Sequence, residues 1–329
     1  MRLIAVRLHR PLALAAVALA LASLAACGKK PAPTAQPATA PPAADTTEAK
    51  APAATPPEAA TPTPAPQAAT ATDAKPEAAP DNNPTQNGWN LPARGTSAKE
   101  GDRVFVLTRG KDRSYSDAGA VYHLFAHDLG EVRGDVMTVK ELDGGSFQVT
   151  GLFVVPAGAK AEALQVGDMV LAEWASSLNH AVVTKLDGDK IHVRYTDLPD
   201  TWKEDQITAV KAPREVTKQQ EGLHPGNFAV ALEDGRPIQV LLVADSGDKW
   251  LVRRFAKRMA VFAKSDLKPI PLKPPLKPGQ LVQAPWVGMM YKAKVKKVTG
   301  TRVEVLIDGI ATKEPVVTSL GQVVPDGGK

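Results

Sequence analysis

The chain has 329 residues and a formal net charge of +5, which is unevenly distributed along the sequence. Cys27 is its only cysteine, which excludes a disulfide within the chain and a metal site built from several thiolates. The sequence has no Gly-rich phosphate loop, nucleophile elbow or helical zinc motif. We therefore expect a protein that binds no cofactor and is not an enzyme.

The N-terminus has the composition of a secretory signal. Arg2, Arg7 and Arg10 form a basic region, and residues 12–24 form an apolar run without charge. Because a membrane-spanning helix needs about 20 apolar residues, this run is too short to span a bilayer. Small residues at its end are typical of a cleavage site, so we predict a signal peptide over residues 1–26.

The segment that ends this signal carries one specific motif. Leu24-Ala25-Ala26-Cys27-Gly28 resembles the lipobox of bacterial lipoproteins. The resemblance implies that Cys27 is acylated, for example with palmitate, and becomes the first residue of a protein held in the membrane by its lipid. A glycine follows the cysteine, where an aspartate would retain a lipoprotein in the inner membrane. The resemblance therefore implies the outer membrane of the cell envelope, if the organism is Gram-negative.

Residues 27–97 are predicted to form a disordered tether that begins at the lipidated cysteine. From about Lys29 to Asn90 the sequence is mostly Ala, Pro and Thr, as in Thr61–Pro66, with almost no large apolar side chain. Such a segment cannot bury enough apolar surface to offset the entropy that folding removes. Pro-rich linkers extend by about 3.1 Å per residue, so the tether can hold the folded part well away from the membrane.

A glycine just before an alternating apolar strand occurs four times in the remaining sequence. Each copy is followed by two further strands joined by a Gly-containing turn, which we place at Gly144-Gly145 in the first copy. Three copies also share a polar segment that we interpret as the turn before a final short strand, as in Lys203–Ile207. The four copies are Gly101–Val106, Gly167–Ala172, Gly226–Ala231 and Gly279–Ala284.

The second copy resembles a Tudor or agenet-type SH3-like domain. It begins with Gly-Asp, its first strand ends in Trp174, and its third strand ends in Tyr195 with Asp197 two residues later. The resemblance implies an all-β fold of small five-stranded SH3/Tudor-like barrels in tandem after the tether. We place the four repeats at residues 98–160, 161–212, 220–271 and 274–325.

Aromatic side chains are the candidate ligand-binding residues. In Tudor domains, aromatic rings at strand ends hold cationic side chains by cation–π attraction. The resemblance implies such a rim, with an envelope protein or a peptide as the partner. An alternative is that the same rings form the barrel cores or the contacts between barrels. The candidates are Trp174, Tyr195, Asp197, Trp202, Trp250, Trp286 and Tyr291.

Basic residues are concentrated in the last two repeats. Lys292, Lys294 and Lys296 alternate along a predicted strand and so lie on one face of it. Such a face attracts an anionic polymer, such as cell-wall glycan, lipid phosphate or nucleic acid, although it also fits a solvated outer face. A second group of candidate anion-binding residues comprises Arg253, Arg254, Lys257 and Arg258.

His123 and His127 are the best hint of a metal site. On a helix, residues four apart lie on one face and could hold a metal together. The alternative is a short amphipathic helix or a loop over the first barrel, and we predict no metal site here.

Overall fold

The computed structural model describes most of the chain after the predicted tether. The described residues all belong to one compact unit, Asp73–Lys329. The predicted signal peptide, Cys27 and most of the tether lie outside them. Among the described residues, no helix is long and apolar enough to cross a membrane. The described ranges are 85–109, 114–141, 143–157, 164–199, 201–311 and 313–326.

In these ranges the fold is almost entirely β, with one α-helix of a single turn at Glu204–Ile207. The first ten strands form one sheet and the next ten form a second sheet. The first five strands are β1 (Arg103–Thr108), β2 (His123–Arg133), β3 (Val136–Lys140), β4 (Ser146–Thr150) and β5 (Val154–Pro156). The next five are β6 (Met169–Trp174), β7 (Ser177–Asp187), β8 (Lys190–Tyr195), β9 (Thr208–Lys211) and β10 (Val216–Lys218).

The second sheet repeats this pattern. Its first five strands are β11 (Phe228–Glu233), β12 (Arg236–Ser246), β13 (Lys249–Arg253), β14 (Met259–Ala263) and β15 (Leu267–Pro269). Its last five are β16 (Leu281–Trp286), β17 (Met289–Thr299), β18 (Arg302–Ile307), β19 (Val316–Ser319) and β20 (Val324–Pro325).

Each set of five strands is paired in the same way. The first strand pairs with the second and the fifth, the second with the third, and the third with the fourth, always antiparallel. The spatial order is therefore 5-1-2-3-4 in all four sets. This confirms the predicted fold class of four small five-stranded barrels in tandem.

The second strand of every barrel is 11 residues long and carries a β-bulge. A bulge bends a strand and increases its twist, which lets one long strand follow the curve of a small barrel. The register shifts lie between Leu129 and Val132, Val183 and Lys185, Leu242 and Ala244, and Val295 and Lys297.

The glycine motif holds this bulge in place. Its glycine is the third residue of a turn and has φ between 85° and 89°, a left-handed conformation that glycine adopts without strain. The glycine N–H donates to the carbonyl of the last strand residue before the bulge, at 2.7–2.8 Å. That residue's N–H donates in turn to the carbonyl after the glycine, at 2.8–2.9 Å. The four donor–acceptor pairs are Gly101–Leu129, Gly167–Val183, Gly226–Leu242 and Gly279–Val295.

Two details of the predicted repeats are wrong. In the first repeat, Gly144-Gly145 lies between the third and fourth strands, and the turn between the second and third strands contains Gly134 instead. In the second repeat, Lys203–Ile207 comes before the fourth strand. The closing strand is β10, which lies past the predicted limit at residue 212. Polar residues with glycine mark any tight turn, so the pattern alone did not show which pair of strands each turn joins.

The barrels are joined in pairs through backbone hydrogen bonds. The N–H of Ala126 in the first barrel donates to the carbonyl of Ser176 in the second, at 2.7 Å. The N–H of Gln239 in the third donates to the carbonyl of Gly288 in the fourth, at 2.9 Å. Both acceptors lie in the turn between the first two strands of the later barrel, so the two pairs are joined by the same contact.

The core of the first barrel extends into the second and third barrels. Leu171 of the second barrel and Leu241, Val243 and Leu251 of the third pack in one cluster with its interior residues. A barrel of this size buries little core alone, and this shared cluster adds apolar burial between neighbours. The four barrels therefore pack against one another within the unit and are not independent beads.

Replacing Gly226 with Ala tests the packing of the glycine turn against the next barrel. The new Cβ would lie 2.1 Å from Leu171 Cδ1, so the variant combines a strained φ with a steric clash. Gly101→Ala is the matched control, because it has the same φ of 85° but no atom within 4 Å of the new Cβ. We expect the control to lower the free energy of unfolding by about 1–2 kcal/mol. Gly226→Ala should cost about 1–3 kcal/mol more. Urea denaturation measures both, and equal losses would contradict the described contact.

Candidate functional site

Two of the predicted binding aromatics lie inside barrels. Trp250 is 2% exposed in the core of the third barrel, and Tyr195 is 2% exposed in that of the second. The Tyr195 hydroxyl donates to the Glu173 carbonyl, and burial raises its pKa above the usual range, with smaller contributions from nearby carboxylates. Since an enclosed ring has no face for a ligand, we place both residues in the cores and not at a binding rim.

Asp197 connects the second barrel to the third. Its Oδ2 accepts a hydrogen bond from the His180 N–H at 2.9 Å and lies 3.0 Å from His180 Nδ1. The other ring nitrogen of His180 lies 2.8 Å from the carbonyl of Gly226, and Phe228 stacks on the imidazole at 4.4 Å. The second oxygen, Asp197 Oδ1, is buried and has no hydrogen-bond partner in the described part of the chain. Oδ2 of Asp197 therefore takes part in the contact between the barrels, whereas Oδ1 has no hydrogen-bond partner there.

A groove runs between the second and fourth barrels beside Asp197. The loop after β8 forms one wall, with Thr196–Pro199, and Val317, Thr318 and Gln322 form the other. Its volume is about 260 Å³, and a narrower cavity that shares Thr196 and Val317 continues toward the body of the second barrel. The Thr196 Oγ1 atom is also buried without a partner among the described residues. Two residues of the groove wall, Thr196 and Asp197, therefore each carry a buried side-chain oxygen with no partner among the described residues.

Two predicted tryptophans meet on the other side of the same loop. The ring centroids of Trp174 and Trp202 are 5.1 Å apart, and both side chains are half-buried. Trp174 Nε1 donates to the Gln206 carbonyl at 3.2 Å, and the Trp202 N–H donates to the Pro199 carbonyl at 3.2 Å. The structure thus brings Trp174, Asp197 and Trp202 around one loop, although the tryptophans do not line the groove itself.

The aromatic candidates of the fourth barrel have separate environments. Trp286 is 37% exposed at the end of β16, beside the turn that contacts the third barrel. Tyr291 is half-buried and packs against the core of the fourth barrel. These two residues lie away from the groove residues named above.

The predicted basic residues of the third barrel are divided among different contacts. Arg254 forms an ion pair with Glu233 at 2.6 Å, and Lys257 Nζ lies 3.2 Å from His123 Nδ1. Arg258 is exposed. Arg253 is half-buried, and burial lowers the pKa of its guanidinium. These four side chains therefore do not form one surface.

The three lysines of β17 do form one surface. Lys292, Lys294 and Lys296 are exposed, and they alternate with the buried Ala293 and Val295. None of the three makes an ion pair within the described ranges. We call these three side chains the lysine row.

The segment with His123 and His127 is a strand, β2, and not the helix or loop expected from the sequence. The pKa of His123 is lowered, mainly by burial and to a smaller extent by the positive charges of Lys257 and Arg253. His127 Nδ1 lies 3.3 Å from the Lys140 carbonyl. No group of three or more His, Cys, Asp or Glu residues in the described part of the chain is arranged to hold a metal.

The sequence did not indicate Thr196, Val317 or Thr318 as site residues. No local motif marks them, because the groove forms only where the second and fourth barrels meet, and Thr196 and Val317 are 121 residues apart in the chain. A sign of such packing is present in Ile238–Ala244, where a nearly continuous apolar run indicates a strand buried on both faces.

Comparisons with protein-family models and with curated proteins find no match. Among solved structures, Arabidopsis thaliana AGDP1 AGD34 is 16% identical, covers 38% of this chain and 84% of its own, and has a TM-score of 0.20. The four MBT repeats of Drosophila melanogaster Sfmbt, in complex with the peptide RHR(me)K VLR, are 11% identical and have a TM-score of 0.16. That match covers 70% of this chain and 88% of the other. With scores this low, the fold assignment rests on strand order and register.

Proposed function

We propose that this chain is a non-enzymatic binding protein of the bacterial cell envelope, and that it binds a protein or peptide partner in the groove between the second and fourth barrels. The observation that carries the proposal is the pair of buried, unpaired oxygen atoms, Thr196 Oγ1 and Asp197 Oδ1, in residues that line the groove. A buried acceptor without a donor costs about 1–3 kcal/mol, which a ligand that supplies a donor would recover.

The chemistry of the groove favours a positively charged donor. A carboxylate oxygen forms its strongest hydrogen bonds with ionised groups, so a Lys or Arg side chain of the partner suits Asp197 best. The groove also lies beside β19, which pairs on one side with β18 and on the other with no strand of the described ranges. An extended peptide can add to such an edge through its backbone.

The surroundings of Asp197 support binding in preference to catalysis. His180, the imidazole that contacts Asp197, has its other ring nitrogen 2.8 Å from the carbonyl of Gly226. Both ring nitrogens are therefore engaged within the protein, and His180 presents neither of them to a ligand.

Selection from a random peptide library tests the groove. We expect the full-length protein to select peptides with Lys or Arg at one fixed position. We expect Val317→Lys to weaken binding by about tenfold or more, because the new ammonium group repels the ligand's cation and fills the groove. Isothermal titration with a selected peptide measures the change.

Val210→Lys is the matched control for this test. It places the same charge on the fourth strand of the second barrel, at a side chain that is 54% exposed and does not line the groove. A library that shows no basic preference, or equal losses in the two variants, would count against the groove.

We also propose that the binding part is held at the outer membrane by a lipid on Cys27, supported by the lipobox-like Leu24–Gly28 segment. Cys27→Ala should abolish labelling of the cells' protein by an alkyne-tagged fatty acid and move the protein from the membrane fraction to the soluble fraction. Gly28→Ala is the control and should keep the label. An unlabelled wild-type protein would refute the anchor.

A second candidate function is binding of an anionic polymer, which the unpaired lysine row favours. Lys292 and Lys294 are two residues apart on the strand, a distance of about 6.6 Å. Lys296 follows at the β-bulge between Val295 and Lys297, so the row presents three exposed charges close together. Such a surface attracts phosphate or carboxylate groups along a glycan, a nucleic acid or a lipid layer.

The triple variant K292E/K294E/K296E tests this second function. We expect it to lose binding to a single-stranded DNA oligonucleotide and to vesicles containing anionic lipid. For the oligonucleotide, the logarithmic salt slope should become shallower by about 2. K185E/K190E/K203E changes the net charge equally at exposed positions of the second barrel. Binding that does not depend on salt, or that both triples reduce equally, would exclude the lysine row.

A further inference from the structure

A second cavity lies on the outer face of the third barrel, away from the groove. Phe228, Leu241 and Arg253 are opposite one another on β11, β12 and β13, and therefore form a row across one face of the sheet. The core residues of this barrel, such as Val240 and Val252, point to the other face. The row, Gln239 and the turn at Gly288 of the fourth barrel line a cavity of about 120 Å³.

Arg253 is the only charged group of the third barrel that both lines this cavity and lacks an ion pair among the described residues. Arg254, which also lines it, is paired with Glu233. The Arg253 side chain forms no hydrogen bond or ion pair within the described ranges. Burial lowers the pKa of its guanidinium, and the charge of Asp197 raises it. A guanidinium in these surroundings is incompletely solvated, and it favours a bidentate anionic partner.

Gln239 supplies a second donor. Its Nε2 is buried and has no hydrogen-bond partner in the described part of the chain. On β12 it is two residues from Leu241, so it lies on the same face as the row that contains Arg253. The side chains that line this small space therefore include one cation and one amide with an unpaired donor, which suits an acceptor carrying a single negative charge.

Apart from the ion-paired Arg254, the remaining walls are apolar, and two unusual turns shape them. Gly288 has φ of 80°, and a Cβ there would lie 2.3 Å from the Cβ of Phe255, so the missing side chain lets Phe255 approach. Ala256 and Lys257 have φ of 57° and 61°, which is strained for residues with a side chain. The volume equals that of about four water molecules in the liquid, enough for an acidic group with a few carbon atoms.

We propose that this cavity is a carboxylate-binding site that takes one carboxylate with a short apolar tail, held by Arg253 and Gln239 between Phe228 and Phe255. The carboxylate can belong to a free small acid or to the C-terminus of a peptide with an apolar last residue. This cavity shares no lining residue with the groove, although the charge of Asp197 acts on Arg253, so the two proposals are tested with different ligands and different variants.

Isothermal titration of the full-length protein with isovalerate and with isovaleramide tests the requirement for a charge. N-acetylleucine and its amide test the C-terminal source in the same way. We expect the two acids to bind and the two amides not to bind. Arg253→Met should weaken binding of the acids by about tenfold or more, because it removes the charged donor and keeps a similar length. Arg258→Met is the matched control and should bind as the wild type does, because Arg258 is an exposed arginine just before β14 that does not line the cavity.

Two further measurements make the test decisive. Gln239→Met leaves the charge in place and should weaken binding of the acids by a smaller factor than Arg253→Met does. It replaces Arg253→Met in the test if circular dichroism shows that Arg253→Met does not fold. Val317→Lys in the groove should leave the affinity for the two acids unchanged. Three results would overturn the proposal. The acids and their amides could bind equally, both cavity variants could bind the acids as the wild type does, or inorganic phosphate could bind more tightly than either acid. If isovalerate binds and N-acetylleucine does not, the site takes a free acid. If N-acetylleucine binds and isovalerate does not, the site takes a peptide C-terminus.

Discussion

The hydrogen bond from the turn glycine to the strand residue before the bulge is repeated in every barrel, and the rest of the structure depends on it. It fixes where the long second strand bends, and the bend decides which residues turn inward after that point. It requires an N–H at a residue with φ near 85°, which explains why glycine occupies all four positions. In the third barrel the same glycine also packs against Leu171 and accepts from His180 through its carbonyl. One turn therefore sets both a barrel and its contact with the next.

The contacts between barrels create the two candidate sites. The groove needs the loop after β8 in the second barrel and β19 in the fourth, and the carboxylate cavity needs the outer face of the third barrel and the Gly288 turn of the fourth. Neither barrel of a pair contains a complete site. This arrangement places polar atoms such as Asp197 Oδ1 and Gln239 Nε2 in enclosed spaces, where a lone small barrel would leave them in water.

These enclosed polar atoms lower stability, and the apolar contacts between barrels offset that loss. Leu171, Leu241 and Leu251 are buried on the outer faces of their own barrels, where an isolated barrel would expose them. The shared cluster allows the protein to keep an unpaired carboxylate oxygen and an unpaired guanidinium near one another in its interior. Because the Asp197 charge raises the pKa of Arg253 against the effect of burial, the two sites are electrostatically linked even though their ligands would differ.

The sequence by itself determined the number of barrels, their strand composition and the exposure of the lysine row. These properties depend on local chemistry: alternation with a period of two, and glycine where φ must be positive. It did not show which pair of strands each Gly turn joins. It also did not show that Tyr195 and Trp250 are enclosed in barrel cores or that His123 lies on a strand. It also did not show that Thr196 meets Val317 or that Arg253 meets Gln239 across a cavity. The enclosed rings depend on how each barrel closes, and the two candidate sites depend on how the outer faces of different barrels pack together. Only the tertiary structure decides both.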